Sequence, residues 1–139
     1  MTRGRSEPTH FLNVDLEIAG RVSQIGVLVK ALNERLISLH ELVERGRVRA
    51  HFESLSPRSS RTPALTLRTL LDVIEALPVA ARHAWKLARV RDFNIGIQAG
   101  RLPHFEEYAV EPETLTRVAR LGGQVVVTVY APFPRPRSR

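Results

Sequence analysis

Four stretches of this chain alternate apolar with polar residues. They are Leu12-Asn13-Val14-Asp15-Leu16-Glu17-Ile18, Val48-Arg49-Ala50-His51-Phe52-Glu53, Phe93-Asn94-Ile95-Gly96-Ile97-Gln98 and Val125-Val126-Val127-Thr128-Val129-Tyr130. Period-two alternation marks a β-strand with one buried and one polar face. Between these stretches the period becomes helical. Ile25, Leu28, Val29 and Leu32 share one stripe of a helix over residues 23–35, with Ser23 placed to cap it. Thr62-Pro63 reads as a cap and first helical residue, and the helix that follows buries Leu67, Leu70, Leu71, Ile74 and Leu77 before Pro78 breaks it. A helix over residues 80–89 turns Ala81, Trp85 and Ala88 to one side. A last helix, opened by Glu111-Pro112-Glu113, faces Leu115, Val118 and Ala119 inward and stops at Gly122-Gly123.

Two further strands complete the pattern. Residues 37–43, whose period is blurred by His40 and Glu41, return through Arg45-Gly46-Arg47 to residues 48–55 as a hairpin. After a turn at 100–104, residues 105–110 form a short strand. The predicted order is β-α-β-β-α-α-β-β-α-β. It describes an α+β chain, a single two-layer sandwich with a mixed, mostly antiparallel sheet and helices chiefly on one face. Through Ala99 the order is that of a ferredoxin-like sandwich. The nearly continuous apolar run at 125–130 predicts an interior strand, bonded on both sides.

A length of 139 residues suits one domain. It is expected over 10–132, between disordered tails at 1–9 and 133–139; alternate prolines deny the second tail ladder donors. With no cysteine, disulfides, thiolate nucleophiles and cysteine-based zinc sites are excluded. No apolar run approaches the ~20 residues that span a bilayer. Residues 1–8 lack the apolar stretch of a secretory signal, so a cytoplasmic protein with no membrane partner is expected. The formal charge of +7 is spread: +1 in residues 1–9, +3 in 134–139 and +3 in the body, where acids are scattered throughout. A nucleic-acid-binding domain concentrates its basic residues in a stripe or patch, and that reading is not favoured.

The segment Asp92-Phe93-Asn94-Ile95-Gly96-Ile97-Gln98, with Pro112-Glu113-Thr114-Leu115, Leu121-Gly122-Gly123 and Val127-Thr128-Val129-Tyr130, resembles the C-terminal half of a bacterial domain family of unknown function. The likeness covers mainly the last third of the chain, a closing helix–glycine–strand unit ending in Tyr. It implies a small α+β protein and carries no catalytic signature.

If Leu12, Val14, Leu16, Ile18, Val48, Ala50, Phe52, Phe93, Ile95, Ile97, Val125, Val127 and Val129 pack beneath the helices, their alternates share the opposite face. Those are Asn13, Asp15, Glu17, Arg49, His51, Glu53, Asn94, Gln98, Thr128 and Tyr130. Such a set can bind a polar partner, or place His51 beside Asp15 or Glu53 for acid–base work. The plain alternative is a solvated sheet face with cross-strand ion pairs. His10, His40, His51, His83 and His104 show no i, i+4 or His-x-His spacing, so no metal is expected, and no glycine array points to a cofactor. An RNA-binding sheet needs two or three aromatics on its central strands, and Tyr130 alone qualifies. The leading expectation is a small bacterial protein that acts by binding another protein, immunity- or adaptor-like; a homodimer is compatible with it. A small enzyme around His51 and a basic nucleic-acid-binding module are the alternatives.

Overall fold

The computed structural model describes residues 7–57, 61–132 and 134. Its elements are β1 (His10–Arg21), α1 (Val22–Asn33), β2 (Ile37–Glu44), β3 (Arg47–Glu53), α2 (Pro63–Glu75), α3 (Val79–Leu87), β4 (Val90–Gln98), α4 (Pro112–Arg120) and β5 (Gln124–Tyr130). This is the expected α+β fold. One open sheet runs in the order β2-β3-β1-β4-β5, antiparallel throughout except for the parallel β4–β5 pair. The first four strands have the ferredoxin-like arrangement. Helix α4 carries the chain back to add β5 outside it.

The alternation builds the core. Val14, Leu16 and Ile18 from β1, Ala50 and Phe52 from β3, and Phe93 and Ile95 from β4 are buried against Ile25, Leu28 and Leu32 of α1 and Leu67, Leu70, Leu71 and Ile74 of α2. Each large apolar side chain so covered contributes about 1.5–3 kcal/mol. Trp85 closes the α3 side, its Nε1 donating to the Leu121 carbonyl at 2.8 Å. The β2–β3 turn places Arg45 (φ 53°) and Gly46 (φ 76°) in the left-handed region, as a tight two-residue hairpin requires. Thr62 caps α2 as expected, accepting from the Leu65 N–H at 3.1 Å. Ser23 caps nothing: β1 passes directly into α1 at Val22, whose N–H donates to the Gly46 carbonyl at 2.9 Å.

Several expectations are corrected. Residues 105–110 form no strand, because both sides of β4 are already taken by β1 and β5. The closing strand β5 is an edge, not an interior strand. Val127 and Val129 point to the helix side but stay 57% and 61% exposed, since no helix reaches over them. On α4, Thr114 and Val118 face inward while Leu115 and Ala119 face out; the exposed side of this short helix is held by Arg117, which bonds Asp72 and Glu75 of α2. Leu12 leaves the core face. A bulge sets Leu12 and Asn13 together opposite Gly96, which sends Phe11 to the helix side and Leu12 to the open side. Apart from these corrections, in the segment before β1 the Arg101 N–H donates to the Glu7 carbonyl at 2.7 Å and the Gly100 N–H to the Thr9 hydroxyl at 2.8 Å. The remaining tail residues, 1–6, 133 and 135–139, lie outside the described residues.

Candidate functional site on the open sheet face

The registers Glu17↔His51, Ala19↔Arg49 and Asp15↔Asn94, with Gln98↔Tyr130, put the expected polar set on the face away from the helices. The structure gathers those residues into three separate groups.

The first group lies where β1 begins and β3 ends, beside the loop after β3. Asn13 Nδ2 donates to Asp15 Oδ1 and to Glu53 Oε2, both at 2.8 Å. The loop turns back and inserts Arg61, whose side chain is only 4% exposed, against the 7% exposed side chain of Glu53. Arg61 Nη1 donates to Asn13 Oδ1 at 2.9 Å and to Glu53 Oε2 at 3.3 Å. Its Nη2 reaches the Ser54 and Ser56 carbonyls at 2.9 and 2.6 Å, and its Nε reaches Ser56 at 3.1 Å. The guanidinium thus spreads its donors over one carboxylate, one amide and two backbone carbonyls. Sequence reading missed Arg61. The available signal was a pair of carboxylates, Asp15 and Glu53, facing one way on neighbouring strands, a placement that calls for a cation.

The second group is central. Arg49 pairs with Glu17, and His51 Nε2 lies 3.7 Å from the same carboxylate. The His40 ring meets His51 edge-on at 6.0 Å. Burial holds the His51 pKa below its ordinary value; His40 and Arg49 add to that effect against the opposing pull of Asp15. Burial thus favours the neutral imidazole at His51.

The third group spans β4 and β5. Thr128 donates to Asn94 at 2.8 Å, Gln98 donates to the Ala131 carbonyl at 2.9 Å, and Tyr130 is exposed beside them.

The expected face exists, but its polar side chains bond chiefly to one another and to backbone. They do not converge on a common point. A hollow of about 640 Å³ lies elsewhere on this face, at the hairpin end, and is lined by arginines and not by His51. The face also carries apolar residues that periodicity hid. A second bulge lies between Ser38 and His40, opposite His51 and Phe52. Leu42 stands in register with Arg49 on the open side, and Ile37 with Glu53. All eight residues of β2 are exposed. Among the described residues, no three His, Cys, Asp or Glu side chains are grouped to hold a metal ion, and no helix is long and apolar enough to cross a membrane.

No family model, no curated protein and no solved structure matches this chain. Its functional reading rests on geometry.

Proposed function

We propose that this chain acts by binding another protein, whose extended segment adds a strand to the free edge of β2. The observation that carries the reading is the character of that edge. It is eight residues long, exposed along its whole length, and bears Ile37, Leu39, Leu42 and Val43 with no Lys and no Pro. An exposed edge with apolar side chains invites pairing, and the bulge at Ser38–His40 with the charges of Glu41 and Glu44 restricts it to a segment that matches them. Backbone hydrogen bonds would supply affinity and alternate side chains selectivity, as in other strand-addition complexes. Beyond the bulge, His40, Leu42 and Glu44 face the open side while Glu41 and Val43 face the helix side. The fitting segment sets an apolar residue opposite Leu42 and basic residues opposite Glu41 and Glu44. The networks around Arg61 and Glu17 keep the neighbouring strands in register and give the edge a rigid backing.

The test begins with a protein captured by the tagged chain, then purified and titrated back. Leu42→Lys leaves the melting temperature nearly unchanged, because Leu42 is 49% exposed. It should weaken the complex at least about tenfold, and the β2 amides should gain protection from hydrogen exchange when the partner binds. Full affinity in the Leu42→Lys variant, or no added protection at β2, overturns the proposal. So does a dimer of the chain that this substitution abolishes, which would assign the edge to a second copy.

A further inference from the structure

The hollow at the hairpin end has a chemistry that strand addition does not use. It forms where β1, the β2–β3 hairpin and the start of β4 meet. Its floor is low because Ala19 stands in register between Arg49 on β3 and Val90 on β4, a small side chain between two larger ones. Around it stand Arg45, Arg47, Arg49 and Arg89. Their backbones are fixed: the Arg89 N–H donates to the Ala19 carbonyl at 2.7 Å, and the turn carrying Arg45 is tied to Val22 through Gly46. Arg21 lies directly opposite Arg47 across β1 and β3, a like-charge placement that is unfavourable until an anion enters.

The charges on this rim do not balance. Arg49 is matched by Glu17. Arg45, Arg47 and Arg89 have no acid in ion-pair contact among the described residues, and Glu44, in register with Arg47, is the acid on the rim. Two positive charges are left over within the hollow, before Arg21 is counted. A lone carboxylate would leave that surplus unmatched. With Arg21 counted the surplus is three, more than the roughly −1.5 to −2 of a single phosphate group and suited to a diphosphate, and guanidinium forks suit phosphate oxygens in paired hydrogen bonds. The volume falls within the ~300–1,000 Å³ of small-ligand sites. The arginines line one hollow, drawn from the β2–β3 turn, β3 and the residue before β4, and no aromatic side chain lines it for base stacking.

We propose that this hollow binds a small diphosphate-bearing molecule, its phosphates held by Arg45, Arg47 and Arg89 and its organic part resting on Ala19 and Val90. The hollow shares Leu42 and Glu44 with the β2 edge, whereas the arginines that hold the phosphates lie in the turn, on β3 and before β4, so the arginine variants test this site apart from strand addition. Pyrophosphate is the probe, titrated calorimetrically at about 0.15 M salt, where diffuse surface attraction is screened. It should bind saturably with one site per chain, at least about tenfold tighter than orthophosphate, and raise the melting temperature by about 5 °C at ten times its Kd. Arg47→Ser and Arg89→Ser should each weaken binding about tenfold or more without lowering the melting temperature of the free protein. Arg82→Ser, on α3 outside the hollow, should leave it unchanged. Three results overturn the proposal: no saturable binding, an equal loss in Arg82→Ser, or tighter binding of a single-stranded RNA of about eight nucleotides than of pyrophosphate.

Discussion

Arg61→Ala is the sharpest test of how the open face is held. The guanidinium donates hydrogen bonds to Asn13, Glu53, Ser54 and Ser56, and the Glu53 it covers is 6% exposed. Removing it leaves a buried carboxylate with Asn13 as its remaining donor from β1. Breaking one partner of a buried ion pair costs about 3–5 kcal/mol, well beyond the ~1 kcal/mol expected of an exposed pair such as Arg68–Glu111. At about 2.1 cal/mol/K of unfolding entropy per residue, that is a fall of roughly 10–17 °C in melting temperature for a chain of this length. Urea unfolding followed by Trp85 fluorescence measures it, since Trp85 is buried and becomes exposed on unfolding. The mechanism makes a second demand. Replacing both partners, in Arg61→Met with Glu53→Leu, also removes the buried carboxylate that Arg61 covered, so the double variant should be more stable than Arg61→Ala by about 2 kcal/mol. A loss below about 1 kcal/mol in Arg61→Ala, or strictly additive costs in the cycle, would refute the claim that this cluster acts as one buried unit.

Val127→Asp on edge strand β5 should change stability by no more than about 1 kcal/mol, whereas Val14→Asp in the centre of the sheet should cost about 4 kcal/mol or more; denaturant midpoints of the two variants check the contrast, and equal losses would make β5 an interior strand after all. Because burial depresses the folded pKa of His51 below 6.5, the unfolded chain takes up that proton first, and stability is lost as pH falls from about 6.5 through the folded pKa. His51→Gln should flatten the loss seen between about pH 7 and 5, and an unchanged pH profile in the variant would show that the imidazole is not held neutral by the fold.

How much was legible follows from how local each determinant is. Alternation located β1, β3, β4 and β5 because a half-covered sheet imposes period two on any strand. Thr62-Pro63 and Arg45-Gly46 are visible because caps and tight turns depend on a few adjacent residues. The misses depend on distant partners. The β1 bulge moved Leu12 across the sheet, and its one sequence trace was Gly96 inside an alternating strand, a frequent mark of a bulge in a neighbouring pair. Residues 105–110 have strand composition but no vacant edge to join. Val125–Val127 reads as interior from composition; the uncovered helix side of β5 is decided by how far the helices extend. Arg61 belonged to a loop with no period, and only the register of β1 against β3 shows what it must neutralise.

These misses move the functional weight away from the middle of the sheet. A catalytic face needs polar groups aimed at a common point with unspent hydrogen-bonding capacity. Here Asn13, Asp15, Glu53 and Arg61 are bonded together, Arg49 holds the carboxylate beside His51, and Thr128 closes on Asn94. Disturbing the Asn13–Glu53–Arg61 group to engage a ligand would leave a buried charge or amide short of a partner. The groups not committed in this way lie at the margins: the outer edge of β2 and the arginines of the hairpin end. The first offers backbone donors and acceptors beside apolar side chains, and the second offers several cations around a low floor. The two differ in salt dependence, since neutral backbone pairing is little screened whereas contacts to an anion weaken steeply as salt rises. Complexes formed at one margin and at the other are therefore separable in a single titration series across ionic strength, even though Leu42 and Glu44 belong to both.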